Sequence, residues 1–164
     1  MAVWRIAILA AALPAAWAAP SRADECEAVT ANLGAQVPKI AVAARTAEGQ
    51  AIIIQLKHPD ADELTLSCDN TEITRQAEVT AKWNSAWPPA RFFDIVASAG
   101  AVVVANTEAA VRSGAILCAQ RAMTADGNSA TFDVNGARFE CVTTTGVNGS
   151  TRIHISKLND APPQ

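Results

Sequence analysis

Seven runs of this chain alternate apolar and polar residues with a period of two. That period is typical of a β-strand with one face in a core and the other in water. Four runs come first and three come last, each group joined by short turns. The predicted inward positions are Ile40, Val42, Ala44, Ile52, Ile54, Leu56, Leu64, Leu66, Cys68, Ile73, Ala77, Val79, Ala81, Phe132, Val134, Phe139, Cys141, Ile153 and Ile155.

Helical spacing of apolar residues marks three further segments. They are Asp24 to Gln36, Ala90 to Ala105 and Thr107 to Met123. The last two would also fit one long kinked helix, but Gly100 and Gly114 weaken a continuous rod, so two helices are favoured. The predicted fold class is therefore α+β, with two layers: an antiparallel sheet of about seven strands, and helices on one of its faces.

Turn chemistry predicts the register of each hairpin, because opposite residues share a face. A three-residue loop, Ala47 to Gly49, would pair Ala44 with Ile52, and a turn at Asp69-Asn70 would pair Leu66 with Ile73. A two-residue Asn135-Gly136 turn would pair Phe132 with Phe139 and Asp133 with Arg138. A loop from Val147 to Gly149 would pair Cys141 with Ile155, with positive φ expected at Gly49 and Gly149.

Four cysteines allow three pairings. Cys68 and Cys141 point inward from strands, whereas Cys26 and Cys118 lie on helices that should cover the same core. The sequence therefore predicts the disulfides Cys26–Cys68 and Cys118–Cys141. A redox or metal site is disfavoured, because the chain has no Cys-x-x-Cys pair and no zinc-type spacing with histidine.

The first residues have the form of a secretory signal peptide. Arg5 precedes an apolar run, and small-x-small cleavage sites end at Ala18 and at Ala23, either of which is suitable. We expect a leader over residues 1–23, one disulfide-stabilised domain over 24–158, a disordered tail over 159–164, and a periplasmic or secreted location. No later apolar stretch is long enough for a membrane span.

The net charge and the distribution of basic residues argue against nucleic acid as a partner. Cleavage after Ala23 would remove Arg5 and Arg22, leaving 11 of the 13 basic residues against 16 acidic ones, a net charge near −5. Nucleic-acid binding depends on clustered Lys and Arg, and this chain has no such cluster. The partner is therefore expected to be a protein or a small ligand.

Catalytic and cofactor motifs are missing from the sequence. There is no Gly-x-Ser-x-Gly, no Ser-x-x-Lys, no His-Glu-x-x-His, no phosphate loop and no dinucleotide fingerprint. No catalytic, cofactor-binding or metal-ligating residue is therefore assigned. His58, in a loop with Asp60, Asp62 and Glu63, could bind a cation weakly, but a solvated hairpin loop is favoured.

Six residues are candidates for ligand binding. Two tryptophans near Pro88-Pro89 could anchor a partner or instead close one end of the core. Four polar residues are expected on the outward sheet face, where His154 could titrate or contact a ligand. The six are Trp83, Trp87, Arg138, Glu140, Arg152 and His154.

Two functions remain open. The favoured hypothesis is a non-enzymatic binding or accessory protein of the bacterial envelope. The alternative is a small envelope hydrolase whose carboxylates and histidine carry no sequence motif.

Overall fold

The computed structural model describes residues 22–70 and 75–158, so residues 1–21 of the predicted leader, Ile73 and the predicted tail lie outside the described residues. Within these residues the chain forms three helices and seven strands. They are α1 (Arg22–Gln36), β1 (Ala41–Glu48), β2 (Ala51–His58), β3 (Ala61–Asn70), β4 (Arg75–Trp83), α2 (Ala90–Val104), α3 (Glu108–Thr124), β5 (Ser129–Val134), β6 (Ala137–Thr144) and β7 (Ser150–Lys157).

All seven strands form one antiparallel sheet in the order β1-β2-β3-β4-β7-β6-β5. The two meanders meet where β4 pairs with β7, near the middle of the sheet. The helices pack on one face: α1 against β3, α2 against β4 and β7, and α3 against β5, β6 and β7. The predicted two-layer α+β fold is confirmed.

The core lies between the helices and the inward face of the sheet. One lateral row of apolar side chains crosses six strands, namely Ile54, Leu66, Val79, Ile155, Phe139 and Phe132. The first five are at most 2% exposed. Fully burying one such side chain stabilises the fold by about 1.5 to 3 kcal/mol, so this row supplies a large part of the driving force.

The central segment forms two helices, as favoured. α2 ends at Ala105, which adopts a left-handed conformation with φ 53°. α3 begins after Thr107, whose hydroxyl accepts a hydrogen bond from the Ala110 amide. No helix within the described ranges is by itself long and apolar enough to cross a membrane; α2 and α3 reach that length only as a pair, which is bent by 117°.

Both predicted disulfides are present. Cys26–Cys68 joins α1 to β3, with the two Cα atoms 5.9 Å apart. Cys118–Cys141 joins α3 to β6, with the two Cα atoms 5.8 Å apart. Each bridge ties a helix to the inward face of the sheet. Two disulfides in a chain of this size fit an oxidising compartment.

The β5–β6 hairpin has the predicted register. Asn135 and Gly136 have φ of 51° and 76°, the left-handed values that a two-residue Asn-Gly turn requires. Phe132 pairs with Phe139, and Asp133 pairs with Arg138. The guanidinium donates two hydrogen bonds of 2.9 Å to the carboxylate, and these bonds lower the pKa of Asp133.

The predicted β1–β2 register is wrong. Gly49 and Gln50 form a two-residue turn, with Glu48 opposite Ala51, and an irregularity between Val42 and Ala44 shifts the ladder. Gly49 does have the predicted positive φ, of 62°. A bulge adds a residue to one strand only, so a regular register cannot be extrapolated along it.

The expectation of a buried face on β1 is also wrong. Every residue of β1 is exposed, including Val42 at 53%. The reason is that β1 lies at the edge of the sheet, and α1 packs on β3 and α2 instead of covering that edge. Arg45 reaches back from β1 to form an ion pair with Glu27 of α1.

The β3–β4 connection is longer than predicted. Asp69 and Asn70 remain in the ladder, opposite Gln76 and Arg75, so Leu66 pairs with Val79 instead of Ile73. The predicted turn is wrong. Asp69 and Asn70 are residue types that favour turns, but strand β3 continues through them. The predicted pairing is displaced by an even number of residues. The residues predicted to face inward on each strand therefore still do so.

The β6–β7 loop also differs from the prediction. Thr144 pairs with Ser150, so five residues connect the strands, and Cys141 faces Ile153 instead of Ile155. Gly149 lacks the predicted positive φ, which occurs instead at Gly146. A Cβ on Gly149 would lie 2.9 Å from the Thr144 carbonyl oxygen, so Gly149 is required for close packing.

Candidate functional site

The outward face of the sheet contains a shallow crater with a volume of about 300 Å³. It lies across β4, β7 and β6, where the two meanders meet. Its lining is polar except for one leucine. The lining residues are Gln76, Glu78, Arg138, Glu140, His154, Ser156, Lys157 and Leu158.

Strand register explains why a depression forms here. Ser156 lies directly between Glu78 on β4 and Arg138 on β6. Its side chain is much smaller than those on either side, so Ser156 forms the floor of the crater and its longer neighbours form the walls. Only 5% of Ser156 is exposed.

His154 forms one wall and is held at both ring nitrogens. Its Nε2 atom lies 3.3 Å from Oε2 of Glu78, and its Nδ1 atom lies 2.9 Å from Oγ1 of Thr80. The hydrogen bond to Glu78 raises the pKa of His154, and the negative charges of Glu78 and Glu140 add to this effect, while burial acts against it. Protonated His154 is therefore stabilised by the fold.

This interaction predicts how stability depends on pH. Because the pKa of His154 is above its unfolded value of 6.5 in the folded protein, its contribution is complete below that pH and is lost as pH rises through the folded pKa. We expect wild type to be more stable than His154→Asn at about pH 5.5, with the difference shrinking by about pH 8.5. Urea unfolding at each pH measures it, and a difference that is constant across this range would contradict the assignment.

The other two predicted polar residues of the crater differ in their bonding. Arg138 is held by its two hydrogen bonds to Asp133. Glu140 lies opposite His154 in the ladder, is exposed, and makes no hydrogen bond or ion pair with the described residues. Its carboxylate oxygens are therefore available to a ligand that donates hydrogen bonds.

The remaining predicted residues lie elsewhere. Arg152 is on the outward face but outside the crater, opposite Lys82 and Val142. The two tryptophans lie where β4 leads into α2. Trp83 packs on Phe92 with ring centroids 6.0 Å apart, and Trp87 packs on Phe93 with centroids 5.4 Å apart while staying 42% exposed. Three of the six predicted residues thus line the crater, and the other three lie outside it.

The loop around His58 is held by internal contacts. The ring nitrogens lie 3.0 Å from the Pro38 carbonyl and 3.1 Å from the Asp60 amide, and Asp60 forms an ion pair with Arg91. Nowhere in residues 22–70 and 75–158 do three or more His, Cys, Asp or Glu side chains form a group that could hold a metal ion.

Sequence reasoning missed Glu78, Thr80 and Ser156. Their outward orientation could have been found, since each alternates with residues predicted to face inward: Val79 on β4 and Ile155 on β7. What the sequence did not indicate was that β4 and β7 pair, which brings Glu78 beside Ser156 and Thr80 beside His154.

What the crater binds has to be inferred from its own chemistry. It combines a buried hydroxyl, a carboxylate that pairs with none of the described residues, the Arg138–Asp133 ion pair and the His154–Glu78 contact, in a volume suited to a small molecule. Comparisons with models of protein families, with curated proteins and with solved structures find no match to this chain.

Proposed function

We propose that this protein is an exported binding or accessory protein that holds a small, uncharged polar ligand in the crater. The observation that carries the proposal is a depression on the outward sheet face, lined by polar groups of both charge signs. The signal-like first residues and the two disulfides support a periplasmic or secreted location.

Charge pairing in the walls disfavours a charged ligand. Glu78 faces His154, and Arg138 is bonded to Asp133. An ion that bound to either pair would have to displace an existing partner, and a cation at Glu140 would be repelled by the nearby charge of Arg138. Hydroxyl or amide groups can instead donate to Glu140 and exchange hydrogen bonds with Ser156 without breaking either pair.

The dimensions limit the ligand further. A volume of about 300 Å³ is at the lower end of the range of small-molecule sites, roughly 300 to 1,000 Å³. The crater is also shallow and has no Phe or Trp in its lining, so its affinity has to come mainly from hydrogen bonds. A monosaccharide or a short polyol fits this description.

Calorimetric titration with a matched panel tests the proposal. The panel contains D-glucose, D-galactose and glycerol as neutral probes, glycine as a zwitterion, and putrescine and succinate as charged probes. We expect binding only among the neutral probes, and Ser156→Leu, which fills the floor, should weaken it at least about tenfold, or about 1.4 kcal/mol.

Ser129→Leu is the control, because it places the same side chain on the same sheet face but outside the crater. This variant should bind as wild type does. Selective binding of putrescine or succinate would contradict the proposal, as would unchanged binding by Ser156→Leu.

A further inference from the structure

Three side chains on the outward face form a continuous hydrogen-bonded chain. Thr80 and His154 are directly opposite in the β4–β7 ladder, and their Oγ1 and Nδ1 atoms are 2.9 Å apart. Glu78, two residues before Thr80 on the same face, accepts from the other ring nitrogen at 3.3 Å. The order is hydroxyl, imidazole, carboxylate.

This order has a chemical consequence. In neutral His154 the carboxylate of Glu78 favours the tautomer with the proton on Nε2, which leaves the Nδ1 lone pair directed at the Thr80 hydroxyl. A hydroxyl hydrogen-bonded to a base, with the base oriented by a third group, is the arrangement that activates nucleophiles in acyl-transfer enzymes.

We propose that Thr80 is a nucleophile toward small activated esters, with His154 as its general base and Glu78 as a positioning residue. As the Thr80 oxygen bonds to the ester carbonyl carbon, its proton passes to Nδ1 of His154. The tetrahedral intermediate then expels the alcohol, which takes that proton and leaves an acyl group on Thr80. Water attacks this ester by the same route and releases a carboxylic acid.

Two positively charged residues lie near Thr80 in the β4–β7 ladder. Lys82 is two residues further along β4 and pairs with Arg152 across the ladder. Lys82 also contacts Glu63 at 2.6 Å, whereas Arg152 forms no ion pair with residues 22–70 or 75–158. The Arg152 guanidinium is thus available to stabilise an oxyanion.

The reaction should slow as pH falls, because protonated His154 cannot accept the Thr80 proton. Several charged groups surround the imidazole and set the pH at which this happens. They are Glu78 and Lys82 on β4, Arg138 and Glu140 on β6, and Arg152 on β7 itself. The raised pKa of His154 places the midpoint above 6.5.

Acetylation by p-nitrophenyl acetate tests the proposal. We expect a burst of nitrophenolate from wild type, and peptide mass spectrometry should place an acetyl group on Thr80. Thr80→Val, close in shape but without the hydroxyl, should abolish the burst, and Thr80→Ser should retain it. His154→Asn should slow acetylation about 100-fold or more.

Three further variants test whether the reaction depends specifically on the hydrogen-bonded series Thr80, His154 and Glu78. His58→Asn changes the second histidine and should react as wild type does. Glu78→Gln should lower the midpoint of the rate against pH, which a purely structural role would not do. Ser129→Leu, on the same sheet face but on the edge strand β5, should leave acetylation intact. Acetylation is measured without the sugar ligands, so a failure of ligand binding would not affect this test.

The proposal is overturned if wild type is acetylated only on lysines. It is also overturned if Thr80→Val and His154→Asn, shown to be folded by circular dichroism, release nitrophenolate as fast as wild type. An unchanged pH midpoint in Glu78→Gln would remove Glu78 from the mechanism.

Discussion

Replacing Cys26 and Cys68 together by alanine is expected to lower the free energy of unfolding by about 4 kcal/mol. The bridge spans 42 residues, and the loop-entropy model gives roughly this value for a loop of that length. It also anchors α1, which otherwise contacts only α2 and β3 substantially. We therefore expect α1 to lose protection from hydrogen exchange before the rest of the domain.

The matched control is the double replacement of Cys118 and Cys141. That bridge spans 23 residues, so its loss should cost about 3 kcal/mol and leave exchange in α1 unchanged. Urea unfolding and exchange mass spectrometry measure the two effects. Equal protection of α1 in both double variants would show that packing at Leu33, and not the bridge, holds this helix.

Gly114→Ala is expected to destabilise the fold by about 1 to 3 kcal/mol, although alanine is the better helix former. A Cβ at Gly114 would lie 2.5 Å from the Cζ atom of Phe139. The Phe139 ring is 1% exposed and stacks on Phe132 with centroids 5.4 Å apart, so it has little room to move. The clash should therefore outweigh the gain of about 1 kcal/mol in helix propensity.

Gly34→Ala is the control for the gain in helix propensity when glycine is replaced by alanine. Gly34 lies in α1, and a Cβ there would meet nothing within 4 Å, so the same change should stabilise the protein. In a Phe139→Leu background the cost of Gly114→Ala should shrink, because the ring that it meets is gone. A cost that is the same in both backgrounds would place its origin elsewhere.

The inward face of each strand from β2 to β7 could be predicted from the sequence, and so could both disulfides. Side chains alternate with a period of two, so even the registers that were wrong by two or six residues kept Leu66 and Cys141 facing inward. The disulfide prediction depended on this face assignment and on the helical spacing around Cys26 and Cys118.

Exact registers could not be predicted where the backbone departs from regular geometry. The irregularity next to Val42 and the continuation of β3 through Asp69 are set by local backbone geometry, for which the alternating pattern carries no signal. The exposure of β1 could not be predicted either, because it depends on where α1 packs. An edge strand and a covered strand can have the same alternation.

Three of the eight crater residues were predicted. Arg138, Glu140 and His154 belong to one hairpin, whose outward row follows from the pattern of β6 and β7. Glu78 joins them, and Thr80 reaches His154, only through the pairing of β4 with β7. Thr80 and His154 are 74 residues apart in the chain. Long-range pairing of this kind is determined by the tertiary fold.

The two disulfides crosslink some parts of the fold and leave others without a covalent crosslink. One covalent loop encloses β1, β2 and most of α1 and β3, and the other encloses β5 and parts of α3 and β6. The two central strands, β4 and β7, and the helix above them, α2, belong to neither loop. Under tension or in denaturant, the outer thirds of the sheet are thus crosslinked while its centre depends on packing and hydrogen bonds alone. A ligand in the crater would bridge that uncrosslinked centre and act as a reversible third crosslink.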